Sequence, residues 1–161
     1  MPEGSVITDE MRATIGIESE PSIFEIEKEP IRRWADAIQD ANRLYHDEAY
    51  AKKTLFGGLI APPGMIGNYQ FPVKEGKPGP GIQPPFVRIL NGGNEFEYFL
   101  PAKAGDVLSA TTKIASIFER QGGASTGRML FVVRESTYKN QRGETVAKTR
   151  NTLIHYEGPT G

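Results

Sequence analysis

Apolar residues recur with two different periods along this chain, and the rhythm changes near residue 86. Residues 1 to about 21 are polar with no clear period and predict a partly ordered arm. Phe24-Glu25-Ile26-Glu27 alternates apolar and acidic residues, the pattern of a short strand over residues 23–27. Ile31, Trp34, Ala35 and Ile38 then follow the i, i+3, i+4, i+7 spacing of one helix face. They predict an amphipathic helix from Pro30 to about Asp40 with Trp34 inward, Pro30 costing nothing in a first turn. Asp47 can cap a second short helix running through Lys52. A third helical piece starts at Pro63, weakened by Gly64 and Gly67.

Pro72–Pro85 holds five Pro and three Gly in fourteen residues, which predicts a long loop, either a functional cover or an insertion. Beyond it the period becomes that of strands: Phe86–Leu90 running into Glu95–Leu100, then Val107–Phe118, Met129–Tyr138 and Thr145–Tyr156. Asn91-Gly92-Gly93, Ala104-Gly105-Asp106, Gln121-Gly122-Gly123 and Asn140–Gly143 supply turn chemistry between them. One strand, helices, then a run of hairpin-linked strands reads as α+β, the helices covering the concave face of a curved antiparallel sheet. The outer edge of such a sheet is a natural docking place for a second copy or a partner.

Composition narrows the chemistry. The 161 residues suit one domain, with 38% hydrophobic residues for a core. Nineteen Lys and Arg against twenty Asp and Glu give a net charge of −1, so no global field draws the chain to nucleic acid or an anionic membrane. The absence of cysteine excludes disulfides, thiolate zinc sites, iron–sulfur clusters and a cysteine nucleophile. The two histidines, His46 and His155, lie far apart and argue against a multi-histidine metal site. Apolar runs such as Leu59–Ala61 and Met129–Val133 are far below the ~20 residues of a membrane helix, and the first residues do not resemble a signal peptide. The expectation is a soluble, cytoplasmic protein without metal or cofactor.

The cluster that could carry chemistry is Asp40-Ala41-Asn42-Arg43-Leu44-Tyr45-His46-Asp47, followed by Phe56-Gly57-Gly58-Leu59-Ile60-Ala61-Pro62-Pro63. At a helix exit, Asp, Asn, Tyr and His within seven residues can converge if the backbone turns. They can equally be an ordinary exit with core or interface side chains. Trp34 reads as core, His155 as a structural strand residue, and Lys52, Lys53 and Arg88 as solvated charge. Gly92-Gly93 reads as a bulge or close-approach point, and Met65, Ile66, Tyr69 and Phe71 as tunnel wall or plain core.

From about Ser22 to Tyr156 the chain resembles the MaoC-like hot-dog dehydratases and hydratases. The resemblance rests on Asp40-x-Asn42-Arg43-x-Tyr45-x-Asp47, on Gly57-Gly58-Leu59-Ile60-Ala61-Pro62-Pro63, on Asn91-Gly92-Gly93-x-Glu95-Phe96-Glu97-Tyr98, and on Pro101-x-x-x-Gly105-Asp106. It implies a single hot-dog domain over residues 22–157, a sheet wrapped round a central helix, between an arm (1–21) and a tail (158–161). It also implies reversible addition of water to a trans-2-enoyl thioester of CoA or a carrier protein, in fatty acid metabolism. An Asp/His dyad would do the acid–base work and a backbone N–H at a helix start would hold the enolate-like oxygen.

The catalytic candidates carried over are Asp40, Tyr45 and His46. The substrate-binding candidates are Asn42, Gly57, Gly58, Ala61, Pro63, Gly64, Gly92 and Gly93. Two positions depart from the pattern. Tyr45 stands where the family has His, and a phenol of ordinary pKa ~10 is a poor base at neutral pH. Pro63 stands where the family has the Gly whose N–H meets the thioester oxygen, and proline has no N–H. His46 and Gly64 are the neighbours that could substitute, although one residue along a helix turns a side chain by about 100°. The Leu44-Tyr45 and Ala61-Pro62-Pro63 variants are most similar to the N-terminal half, or first subunit, of two-part members. Three readings follow: a substrate-shaping subunit paired with a catalytic hot-dog chain, a homodimeric hydratase using Asp40 with His46 or Tyr45, and a non-enzymatic acyl-thioester-binding hot-dog. A thioesterase drafting Asp40 or Asp47 is a weaker fourth.

Overall fold

A computed structural model describes residues 4–159. The elements run α1 (Asp9–Ala13), β1 (Ser22–Glu25), α2 (Lys28–Ala37), α3 (Arg43–His46), α4 (Glu48–Lys52), β2 (Arg88–Tyr98), β3 (Val107–Gln121), β4 (Arg128–Lys139) and β5 (Thr145–Tyr156). The strands form one antiparallel sheet in the order β1-β3-β4-β5-β2, which leaves β2 at an outer edge. Register shifts at Asn91/Gly93, Ile114/Ser116 and Tyr138/Lys139 insert bulges that bend these long strands. Asn91-Gly92-Gly93, which carries turn chemistry and whose glycines read as a bulge or close-approach point, is a bulge within one continuous strand. The result is the curved α+β sheet of a single hot-dog fold.

Alternation along β4 puts Tyr138, Ser136, Arg134, Val132 and Leu130 on one face. That face carries two apolar clusters. The first gathers Phe24, Ile26, Ile31, Ala35, Tyr45, Leu59, Met65, Ile66, Phe71 and Leu108, with Trp34, Tyr69 and Tyr138 packed against it. Phe71 stacks on Phe24 at 4.6 Å and meets Tyr69 edge-on at 4.7 Å. Each large side chain buried here contributes ~1.5–3 kcal/mol. Of the helical stripe, Ile31 and Ala35 are buried and Trp34 partly so, while Ile38 lies exposed at the helix end.

The second cluster joins Ile7 and Met11 to Ile114, Ile117, Leu130 and Val132, with Ile82 and Phe86 against it. The arm thus contributes core side chains, and the Pro/Gly loop lies along the same end of the sheet. Lys74 N–H donates to the Ile23 carbonyl, and Gly79 sits against Ser19. Residues 15–19 extend along β3, with Gly16 N–H on the Ile114 carbonyl and Ser19 N–H on that of Thr112.

The piece expected to be a third helix is a run of turns over residues 63–68. Gly64 (φ +88°) and Gly67 (φ +99°) take the left-handed region, so the helical ladder cannot propagate through them. Met65 N–H reaches the Pro62 carbonyl and Tyr69 N–H that of Met65. The sheet therefore wraps round a turn segment where the resemblance implies a central helix. The segment is anchored by Met65 and Ile66, 0% and 3% exposed.

Candidate functional site

The exit of α2 sets the positions of the candidate residues. Gln39 adopts φ +57°, and Asp40 N–H donates to the Ala35 carbonyl at 2.9 Å while Gln39 N–H donates to that of Asp36. This is a Schellman ending with glutamine in the left-handed place glycine usually takes. The chain reverses there. The Asp40 carboxylate accepts the Asn42 N–H at 3.0 Å, and the Asn42 side chain accepts the Leu44 N–H and caps α3. Asp47 accepts the Tyr50 N–H and caps α4 as expected, while Arg43 reaches its carboxylate at 2.7 Å. That ion pair holds Asp47 below the usual carboxylate range.

The reversal sends neighbouring side chains to different sides. Tyr45 turns inward, 6% exposed, and lines an apolar groove of about 270 Å³ with Ala61, Pro63, Ile66, Tyr98 and Leu100 among its walls. Residues 59–61 are held in place by Ile60 N–H on the Leu44 carbonyl, Ala61 N–H on that of Ala102, and Ala104 N–H on that of Leu59. The polar side chains of the groove are the two phenols, Tyr45 and Tyr98. Burial, and secondarily the charge of Asp40, push the Tyr45 phenol above its ordinary value, so it stays protonated and can donate but not act as a base.

Asp40 and His46 line a separate open concavity of about 440 Å³ with Asp36, Gln39 and Ala41. His46 Nε2 lies 2.8 Å from the Asp40 backbone oxygen. A carbonyl only accepts, so Nε2 carries the proton in this contact. Nδ1 faces Asp36 at 3.8 Å. Tyr45 thus lines the groove while Asp40 and His46 line the other concavity, so the three do not meet in one cavity.

Among the substrate-binding candidates, Ala61 and Pro63 line the groove. Gly64 is bound internally: its N–H donates to the Tyr98 hydroxyl at 2.9 Å, and that hydroxyl donates to the Ile66 carbonyl at 3.2 Å. Asn42 is an exposed helix cap. Gly57 is an exposed turn residue with φ +69°, and Gly58 is half-buried beside it. Gly92 packs its backbone against Ile154 and Thr152, and Gly93 (φ +140°) completes the β2 bulge. Neither lines the groove. Of the apolar candidates Ile66 is wall, Met65 and Phe71 are core, and Tyr69 stands between Trp34 and Phe71. Tyr98 and Leu100 are groove residues that sequence reasoning did not single out. The aromatic end of β2 running into Phe99-Leu100-Pro101 is the available signal.

Among the described residues no three His, Asp or Glu side chains group as a metal site, and no helix is long and apolar enough to cross a membrane.

Residues 13–149 match the family described as "FAS1-like, dehydratase domain region". A UPF0336 protein of Thermobifida fusca is 32% identical over 149 residues, covering 88% of this chain and 90% of its own. A probable enoyl-CoA hydratase alpha subunit of Thermomonospora curvata is 29% identical over 140 residues, 78% of this chain but only 43% of that longer protein. A chain of the ChsH1-ChsH2 complex from Mycobacterium tuberculosis superposes with a TM-score of 0.71 at 19% identity, covering 89% of this chain and 91% of that one. The chain belongs to the FAS1-like dehydratase-region family and has the hot-dog fold.

Proposed function

We propose that this chain is the substrate-shaping, non-catalytic subunit of a heteromeric (R)-specific enoyl-thioester hydratase or 3-hydroxyacyl-thioester dehydratase. One observation supports this reading above the others: the apolar groove holds a protonated phenol where hydration needs a base, and the Asp and His that could supply one face a different concavity. The oxyanion position is equally unfurnished. Pro63 has no N–H, and that of Gly64 is spent on Tyr98. General acid–base catalysis is worth ~10²–10⁴-fold and an oxyanion donor ~10²–10³-fold. A site lacking both has little left but binding. What remains suits an acyl chain: a concave, largely apolar wall at the edge of the sheet. The exposed strand β2 beside it offers a partner hot-dog chain an edge to join.

Hydration of crotonyl-CoA by the purified chain, alone and with a MaoC-like partner carrying an intact Asp-x-Asn-Pro-x-His, tests the proposal. The expected result is no turnover alone, turnover with the partner, and no effect of Asp40→Asn on the complex. Robust hydration by the chain alone, lost in Asp40→Asn, defeats it.

A second reading is a stand-alone homodimeric hydratase, favoured by the shared concavity of Asp40 and His46. It requires His46 to act while Nε2 is held by a backbone carbonyl, and the same variant decides it.

A further inference from the structure

We infer that the Tyr98 hydroxyl takes, from within the chain, the place of a ligand's carbonyl oxygen, so the groove selects its ligand by the alkyl tail and is indifferent to the thioester carbonyl. The inference rests on reading the groove as an acyl pocket and adds which part of the ligand it holds.

Several backbone donors around the groove are already used. Pro62, Pro63 and Pro101 have no N–H to offer. Ile60 and Ala61 donate to Leu44 and Ala102, and Phe99 and Leu100 both donate to Val146. Gly64 is the donor at the turn where the family's oxyanion contact is expected, and it donates to Tyr98 Oη at 2.9 Å. The same hydroxyl sends its proton to the Ile66 carbonyl at 3.2 Å, so one group satisfies both polar atoms of the turn. A ligand carbonyl reaching Gly64 must displace Tyr98, which breaks two hydrogen bonds and gains one. Tyr98 has little reason to leave: its ring stacks near-parallel on Phe96, with centroids 6.4 Å apart. Burial pushes its phenol above the ordinary value, the Gly64 contact opposing, so the hydroxyl keeps the proton that the Ile66 bond needs. An alkyl tail asks nothing of these donors and needs only the apolar wall.

Calorimetric titration of the purified full chain with octanoyl-CoA and with S-octyl-CoA, the thioether lacking the carbonyl, tests this. The two dissociation constants are expected to agree within about threefold, and affinity to rise about three- to fourfold per added methylene until the groove is full. Tyr98→Phe frees the Gly64 N–H. The variant is expected to favour the thioester by about three- to tenfold, and its Gly64 amide to lose protection from hydrogen exchange. A tenfold preference for the thioester in the unaltered chain overturns the inference and leaves the acyl-pocket reading standing. An unchanged thioester-to-thioether ratio, or unchanged Gly64 protection, in Tyr98→Phe also overturns it. Binding of neither ligand removes both readings.

Discussion

Gly67→Ala is expected to be among the most damaging single-methyl changes in this fold, and its cost follows from two separable causes. The backbone there sits at φ +99°, a region that charges an L side chain roughly 1–2 kcal/mol. An added Cβ also lands 2.7 Å from Thr149 Cγ2 on β5 and 3.0 Å from the Phe96 ring on β2, and overpacking of this kind costs roughly 1–3 kcal/mol. Together they give about 2–5 kcal/mol. Gly57 is the internal control: its φ is +69°, but a Cβ there meets nothing within 4 Å, so Gly57→Ala carries only the backbone part. The entropy that alanine removes from the unfolded chain is common to both variants and cancels. Urea unfolding of the two variants beside the unaltered chain should separate them by about 1–3 kcal/mol, with Gly67→Ala also melting several degrees lower. The displaced turn carries Gly64 and Ile66 with it, so acyl-CoA affinity should fall in Gly67→Ala and hold in Gly57→Ala. If the two variants unfold within ~0.5 kcal/mol of each other, the turn does not rest on Thr149 and Phe96, and the account of the groove floor is wrong.

Other outcomes follow from the same geometry. Tyr45→His restores the family's residue but not its surroundings, so crotonyl-CoA hydration by the chain alone should change less than tenfold; a gain of ~10² or more would refute the separation of Asp40 from the groove. Met11→Ala should cost about 2 kcal/mol in denaturant unfolding, because Met11 is 6% exposed within the second cluster; a cost below ~0.5 kcal/mol would mean the arm is not part of the core. Burial lowers the His155 pKa, with the Phe86 backbone opposing and the charge of Arg134 reinforcing. As pH falls through the ordinary imidazole value, the unfolded chain binds a proton that the folded chain resists, and stability falls. His155→Gln should therefore lose less stability than the unaltered chain between pH 7.5 and 5.5, and superimposable pH profiles would refute the assignment.

Much of this architecture is written in local pattern. Strand β5 occupies Thr145–Tyr156 just as its run of β-branched residues predicts, and Asp47 caps α4 because its carboxylate reaches the Tyr50 N–H. What resisted reading depends on backbone signs and distant contacts. The sidedness of Asp40, Tyr45 and His46 turns on one left-handed residue, and it is glutamine, which carries no such signal. The polar arm hides two core residues because Ile7 and Met11 acquire meaning only against strands more than a hundred positions away. Pro63 suggests a helix that Gly64 and Gly67 undo. Tyr98 is invisible as a groove residue because its partner, Gly64, lies 34 residues earlier, and no periodicity links a turn amide to a strand phenol.

The bulge in β2 bears on how many neighbours this molecule can take. Eleven consecutive exposed residues on an outer strand would, if straight, template the endless addition of further strands. At Asn91–Gly93 the register slips, the Asn91 side chain captures the Gly93 N–H at 3.0 Å, and a side chain at Gly92 would strike Ile154 at 2.9 Å. The rim is thus cut into two shorter runs out of register with each other. A continuous flat template of the kind that seeds fibres is thereby interrupted at this edge.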